Sequence, residues 1–426
     1  MKTFFNNFFT ASKGEVGASI LNVISLMILA RALGIEKFGI YVLFYSYHDV
    51  LNRIFNFQTW QAYIKFGTEV LDGKEPERIK SLFTACFLID AASMILSAIV
   101  AVVGSKYFIY AFSIDNEYLF LLQMISFSII FYAAEMYIGV LRIFNEYALQ
   151  AKVQISIACA RLLLFIFTYL FYPSLEGFVY ATIFSALIGL GLKSIAAYSV
   201  MKSKTASIDL SGSYRYKSWK RLAGFIFYNN LDVTVRMITR QIDVLVLGRL
   251  FSIEVVGAYK LAVHIGSIFG KLAHPIFQVF YPELTRLFSQ NKNILAKEFA
   301  VKICSYLLVF MLFCYFCYFM FGKYLILNVF GESYESTFYI GLLYLASIVI
   351  AVSVTPMSSI TMAKGLVKKA FYNQVIVTAL FLIVFGLTVR PLGAYSAGLA
   401  HIVFNLSWAC LTIYTIKKHK VFSYGN

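Results

Sequence analysis

The sequence predicts an all-α integral membrane protein: twelve transmembrane helices in two six-helix lobes related by a parallel pseudo-two-fold, with short loops and both termini cytoplasmic. Three observations predict it. Of the 426 residues, 60% are hydrophobic and 14% charged, with a mean hydropathy of +0.75, whereas soluble domains are about a quarter charged and under half apolar. Apolar runs near the length of about 20 residues that a membrane helix needs recur along the whole chain. Lysine and arginine then concentrate in alternate loops between those runs.

The twelve runs centre near residues 24, 49, 92, 129, 161, 188, 235, 269, 310, 349, 379 and 404. The second, seventh and eighth are the least apolar and rest partly on their neighbours. The start, "MKTFFNNFFTASKGEVGAS", is polar and aromatic and does not read as a cleavable signal. The abundant Phe (42) and Tyr (30) suit lipid-facing and interfacial positions. Cys314 and Cys317 form a C-x-x-C inside "FMLFCYFCYFMF" with no His or second Cys pair nearby, so all six cysteines read as free core thiols rather than a metal or redox site.

With the N-terminus inside, 23 of the 37 cations fall in the seven cytoplasmic segments and 6 (Arg31, Lys37, Lys106, Arg249, Lys323, Arg390) in the outer loops. That asymmetry fixes the orientation. The other eight, Arg53, Arg161, Lys193, Arg236, Arg240, Lys260, Lys271 and Lys302, lie within or at the ends of spans.

The first outer turn, "ARALGIEKFGIYVL", and the fourth, "GRLFSIEVVGAYKL", share R-x-x-x-I-E-x-x-G-x-Y-x-L at an offset of 218 residues, pairing Arg31 with Arg249, Ile35 with Ile253, Glu36 with Glu254, Gly39 with Gly257, Tyr41 with Tyr259 and Leu43 with Leu261. The matched turns lie six spans apart and both follow a span that starts inside, so the repeat is parallel. The longest basic loop, 201–221, sits between the halves. The expected organisation is therefore an N-terminal lobe (1–201), a basic linker (202–221) and a C-terminal lobe (222–426).

The seventh span carries Asp232, Arg236, Arg240 and Asp243. At about 100° per residue, Arg236, Arg240 and Asp243 fall about 40°, 80° and 20° from Asp232, so all four share one face. Four central charges cost about 12 kcal/mol on the insertion scale, while the 13 Leu, Ile, Val and Phe of 222–248 return about 6 kcal/mol. The charged face must therefore meet protein or water. Asp232–Arg236 and Arg240–Asp243 have the spacing to pair within the helix, which would make it a self-neutralised packing surface. Against that, the eighth span adds Lys260, His264, Lys271 and His274 on one face with no acid. Arg53 has Asp49 at i−4. Arg161 has no acid on its own helix, and Asp90 and Glu135 in neighbouring spans are its candidate partners. The balance left over is positive, which favours an anionic head group, and arginine suits bidentate phosphate contacts. The expected substrate-binding set is Arg236, Arg240, Lys260, Lys271, Arg161, Arg53 and His264; Asp232, Asp243, Asp49, Asp90 and Glu135 are assigned to ion coupling or charge balance. Tyr228, Asn229, Asn230, Tyr259, His401 and Asn405 are candidates for sugar hydrogen bonds. Pro275 and Pro356 are sites where helices can kink.

The stretches "ARALGIEKFGIY", "DVLVLGRLFSIEVVGAYKLAV", "YPELTRLFSQ" and "RPLGAYSAGLAHIVFNL" resemble the turns and helix ends of the O-antigen (Wzx-type) polysaccharide flippases of the multidrug/oligosaccharidyl-lipid/polysaccharide exporter superfamily. The resemblance spans nearly the whole chain. It implies a bacterial inner-membrane protein that moves an undecaprenyl-pyrophosphate-linked oligosaccharide from the cytoplasmic to the periplasmic leaflet by alternating access. Its implied partners are that substrate, membrane lipids and the polysaccharide polymerase machinery; it implies no cofactor beyond a coupling proton or sodium ion. Nothing in the sequence points to nucleic acid.

Lipid II flippases resemble this architecture with two more helices, for which there is no room after Ile416. A cation-coupled multidrug or metabolite exporter of the same superfamily is the alternative, with Asp49, Asp90 and Glu135 as its acidic site. An enzyme is disfavoured: the outer loops are tiny, and no G-x-S-x-G, HExxH or nucleotide-binding glycine pattern is present.

Overall fold

The computed structural model describes residues 2–72, 76–205, 219–272, 292–364 and 366–419, together with positions 280, 283, 284, 286–288, 290, 421 and 422. Within these, the side chains of residues 2–13, 71, 72, 76–78, 205, 228, 232, 235, 236, 238, 240, 272, 362, 363, 367 and 368 lie outside the description. Among the described residues the chain is helices joined by short turns, without strands.

Helix α1 (Lys2–Phe55) is broken at Gly34, whose φ of 68° and ψ of 171° only glycine adopts without strain. A short non-helical step, 56–58, with Gln58 at φ 47°, leads into α2 (Thr59–Asp72). Then follow α3 (Pro76–Ala111), a 3₁₀ turn, α4 (Leu119–Phe127), a 3₁₀ segment (Ser128–Met136), α5 (Tyr137–Ile143), α6 (Tyr147–Phe171), α7 (Leu175–Thr205), α8 (Trp219–Leu250), α9 (Ile253–Leu272), α10 (Asn293–Phe330), α11 (Glu335–Ala363), α12 (Val367–Leu392) and α13 (Tyr395–Lys418). At 38 residues and about 1.5 Å per residue, α10 overruns a hydrocarbon core of about 30 Å.

Ten helical stretches among the described residues are long and apolar enough to cross a membrane. One of them, Gly14–Val70, is 57 residues long and covers the positions of the first two expected spans. The 32-residue α8 is not among the ten, because its polar stripe dilutes it. Pro356 lies inside α11, which runs on as helix through it. Pro275 lies outside the described residues. The six cysteines are free, but only Cys86 and Cys314 are buried; Cys410 is exposed, so it is not the core thiol expected.

The chain divides into two compact units, Met1–Leu33 with Ile40–Leu245, and Gly34–Gly39 with Val246–Asn426. The division falls near the end of α8. α8 joins the first unit through the buried Leu222 and Ile226 and through two polar side chains. Asn230 donates to the carbonyls of Ile54 and Asn56, and Gln241 donates to Asp49.

The first unit is built around α2, whose Ala62, Tyr63 and Phe66 are buried against Leu82 and Cys86 of α3, Tyr137 and Leu141 of α5, and Val200 and Met201 of α7. Lys65 and Glu69, at the edge of that face, are exposed, and Glu69 meets both terminal nitrogens of Arg221. In the second unit α11 is central, packed by α9, α10, α12 and α13. Small residues permit the approach: Gly266 faces Tyr344, Gly341 faces Tyr318, and Gly398 faces Leu343. This is how membrane helices pack when lipid is as apolar as their side chains.

The two glycines matched by the internal repeat both belong to the second unit and meet each other's turn. A methyl group on Gly39 would collide with the carbonyl oxygen of Ile253. One on Gly257 would lie 2.6 Å from the carbonyl oxygen of Ile35. Ile35 and Ile253 are themselves a matched pair, so the contact is reciprocal.

Candidate functional site

The polar groups of the first unit collect on the second part of α1 and the helices around it. Tyr45, His48, Asp49, Asn52, Arg53 and Asn56 recur at i, i+3 and i+4, giving α1 a polar face from 45 to 56. Asp49 accepts from Arg53 Nε at 2.9 Å and from Gln241 Nε2 of α8 at 2.7 Å. Glu135 accepts from Asn56 Nδ2 at 3.1 Å. Asp90 of α3 accepts from Thr59 Oγ1, the first residue of α2, at 2.7 Å.

Glu135 and Tyr132 lie on the 3₁₀ segment Ser128–Met136. Nine residues is long for a 3₁₀ run, and such stretches inside a helical span mark functional or strained positions. His48 is 3% exposed, with Tyr45 and Tyr132 against its ring at centroid distances of 5.8 and 5.3 Å. Neither of its nitrogens has a hydrogen-bond partner among the described residues.

Arg161, on α6, donates to Ser185 Oγ of α7 at 3.4 Å and lies within electrostatic reach of Tyr41, Tyr45 and Tyr132. Tyr41 bonds Thr182 at 2.8 Å. Lys193 of α7 places its ammonium over the rings of Tyr132 and Tyr137, at 5.7 and 5.6 Å. Two membrane-embedded cations are thus held by rings and hydroxyls. Among the described residues, neither has a carboxylate within ion-pair distance.

In the second unit, Lys260 and His264 are half-buried on α9 and Lys271 is exposed. The neighbouring aromatic groups satisfy one another. Tyr259 meets Tyr344 edge-on, and His401 is set between Tyr344 and Phe381.

With this geometry in place, comparison with known proteins gives the lineage. Residues 4–288 match the model of a family described as polysaccharide biosynthesis protein. The chain belongs to the polysaccharide biosynthesis protein family. Among curated relatives, inner membrane protein YghQ of Escherichia coli (strain K12) is 21% identical over 296 residues, 67% of this chain and 81% of that one. Three solved structures show the fold. A multidrug resistance MATE family transporter of the MOP superfamily, inward-facing, has a TM-score of 0.78 at 11% identity, covering 94% of each chain. The lipid II flippase MurJ, inward closed, gives 0.72 at 15%, covering 97% of this chain and 88% of that one. A MOP superfamily transporter from Pyrococcus furiosus gives 0.69 at 11%, covering 98% and 95%. This member of the polysaccharide biosynthesis family therefore has the MOP transporter fold and is a multi-pass membrane protein.

The family member brings some expected site residues together and separates others. The Asp49–Arg53 pair forms as its i,i+4 spacing required. Arg161 does not meet Asp90 or Glu135, because both acids already hold neutral donors from the 56–59 step. The side chains of Asp232, Arg236, Arg240 and Tyr228, and all of His274, lie outside the described residues. Asp243 is 3% exposed and accepts from the Val244 N–H.

The surplus of positive charge also shifts. With most of α8 in the first unit, that unit's span sequences hold five cations (Arg53, Arg161, Lys193, Arg236, Arg240) and five acids (Asp49, Asp90, Glu135, Asp232, Asp243). Lys260, Lys271 and Lys302 carry the excess in the second.

Of the sugar-binding candidates, Asn230 and Asn405 give their amides to backbone carbonyls, and Tyr259 is fully buried. Asn229 keeps an amide nitrogen without a partner among the described residues. His48, Tyr132, Thr59, Asn56 and Gln241 escaped the sequence reading. The signal for the α1 residues was the polar i, i+3, i+4 run from 45 to 56.

Proposed function

We propose that this protein is a flippase that moves an undecaprenyl-pyrophosphate-linked oligosaccharide, an O-antigen or capsule repeat unit, from the cytoplasmic to the periplasmic leaflet of a bacterial inner membrane. The mechanism is alternating access of two six-helix lobes, with twelve spans and both termini cytoplasmic. The observation that carries this reading is Arg161. A guanidinium inside a membrane-embedded bundle, held by tyrosines and a serine hydroxyl with no carboxylate partner among the described residues, is suited to an anionic ligand and to phosphate oxygens above all. Arg53, Arg236, Arg240, Lys260, Lys271 and His264 complete the set that this reading assigns to the anionic ligand.

The family match supports a role in polysaccharide assembly. The likeness to a lipid II flippase supports a lipid-carried cargo, and the relative named as an inner membrane protein supports the location. Working partners are then the lipid-linked oligosaccharide, membrane lipids and the polymerase machinery that receives the flipped unit, and the protein acts as a transporter rather than an enzyme.

The second reading, a cation-coupled multidrug exporter, draws on the MATE neighbours and on Asp49, Asp90 and Glu135. In this protein each of these acids is already engaged by an internal donor.

The test uses a host lacking its own flippase but retaining a matched sugar pathway. Wild-type protein is expected to restore surface polymer. Arg161→Ala, and separately Arg236→Ala with Arg240→Ala, are expected to insert normally and leave lipid-linked oligosaccharide in the cytoplasmic leaflet. If wild type leaves that pool unchanged while raising resistance to cationic drugs, the exporter reading replaces this one.

A further inference from the structure

Between α4 and α5 a single span turns from α to 3₁₀ over the nine residues Ser128–Met136 and back again. The sequence there, "SIIFYAAEM", holds no proline or glycine to break an α-helix. Ala133, Ala134, Glu135 and Met136 are among the stronger α-helix formers. A 3₁₀ run has poorer hydrogen-bond geometry than an α-helix and is uncommon beyond three or four residues. The tighter coil is therefore imposed from outside, by what its side chains touch.

At three residues per turn, positions three apart lie in one line, so Ile129, Tyr132 and Glu135 form a single row. All three are engaged from the side of α1. Ile129 is buried in a cluster that takes in Tyr47, Leu51 and Phe55 of α1. Tyr132 meets the His48 ring edge-on at 5.3 Å. Glu135 accepts from Asn56 Nδ2, just past the end of α1, at 3.1 Å. Lys193 of α7 adds its ammonium over the Tyr132 ring at 5.7 Å. In an α-helix each step of three falls about 60° short of a full turn. Glu135 would then point about 120° away from Ile129, and only part of the row could stay on α1. The 3₁₀ form is the one in which the three contacts coexist.

We propose that residues 128–136 are a conformational switch with two forms. The long 3₁₀ form is clamped by Ile129, Tyr132 and Glu135; a shorter α form is taken when Tyr132 and Glu135 are released. Each 3₁₀ turn that becomes α shortens the segment by about 1.5 Å and rotates its ends against each other by about 60°. Over all nine residues the shortening reaches about 4.5 Å. The motion arrives at α5, which grips α2 closely: a methyl group on Gly139 would lie 3.0 Å from the Trp60 carbonyl oxygen, and Arg142 lies over the Trp60 ring at 5.1 Å. Tyr132 is the trigger, because whatever draws His48 or Lys193 off its ring removes the middle clamp. The switch is independent of the nature of the cargo, and none is needed to test it.

Two spin labels, carried by encoded non-natural residues so that the native cysteines stay in place, report the length of the span in the full-length protein in nanodiscs. One replaces Phe120, exposed on α4. The other replaces Glu146, whose N–H is bonded at 2.7 Å to the Leu141 carbonyl of α5. Wild type is expected to give mainly the long distance. Tyr132→Leu with Glu135→Ala should shorten it by about 3–4.5 Å, two or three converted turns. Phe131→Leu, which lies off the row, should leave it unchanged. If the double variant does not fold, Glu135→Ala alone serves, freeing the last turn and shortening the distance by about 1.5 Å. A distance that is unchanged or longer in the release variants that fold, or a shortening that Phe131→Leu shares in full, overturns the proposal.

Discussion

Arg161 and His48 share an aromatic surrounding and call for opposite expectations. Arg161 is a charge whose bonds in the protein are few, so its removal should harm ligand handling more than folding. Arg161→Lys keeps the charge but loses the fork that two phosphate oxygens match. It is expected to retain protein in the membrane and lower flipping at least about tenfold, the equivalent of roughly 1.4 kcal/mol, as read from the lipid-linked pool. His48 makes no hydrogen bond through either nitrogen among the described residues and is packed by rings. His48→Phe removes two buried polar atoms while keeping a ring. Its melting temperature should match wild type or rise, a change within about 1 kcal/mol; a loss of several kcal/mol would mean that a hidden partner holds the imidazole. At this scale the sequence was half legible. Spacing on one helix is visible in the letters, so the Asp49–Arg53 pair was readable. The partners of Asp90 and Glu135 were not, because Thr59 and Asn56 carry no charge and stand at a helix break whose position no periodicity announces.

Among the elements, α2 is short and two-faced, and its faces differ in worth. Phe66 is 2% exposed inside the core of the first unit, while Glu69 forms a solvent-exposed pair with Arg221. Phe66→Ala should cost about 3–5 kcal/mol and Glu69→Ala under about 1 kcal/mol, compared by thermal unfolding in detergent. Arg221 also lies over the Phe66 ring, at 5.2 Å. If both variants lose equally, the clasp to Arg221 rather than the core is what holds the helix. At the repeated turns, Gly257→Ala would place a methyl 2.6 Å from the Ile35 carbonyl. The turns must separate, at about 1–3 kcal/mol, and Gly39→Ala should do the same through Ile253. Element existence was largely legible from apolar length. The 3₁₀ segment at 128–136 was not, since its residues are as apolar as those of a regular span.

For the whole molecule, 23 cations against 6 in alternate loops predict that both ends of the chain stay in the cytoplasm. A green fluorescent protein fused after Asn426 should fluoresce, while alkaline phosphatase inserted in the turn near Ser113 should be active. The reverse pattern would overturn both the orientation and the direction of transport proposed above. The internal repeat was readable at this scale, but the place where the compact units part was not. α8 packs Leu222 and Ile226 into the first unit and bonds Ile54 and Asp49 of α1 through Asn230 and Gln241, which no count of spans could anticipate. The reciprocal meeting of Gly39 with Ile253 and of Gly257 with Ile35 has a further consequence. A contact in which i touches j′ and j touches i′ is isologous, the kind that two identical subunits make about a dyad. A chain carrying only one of these turns could make this joint only with a second copy of itself, so the single chain holds within one fold the kind of contact that otherwise joins two subunits.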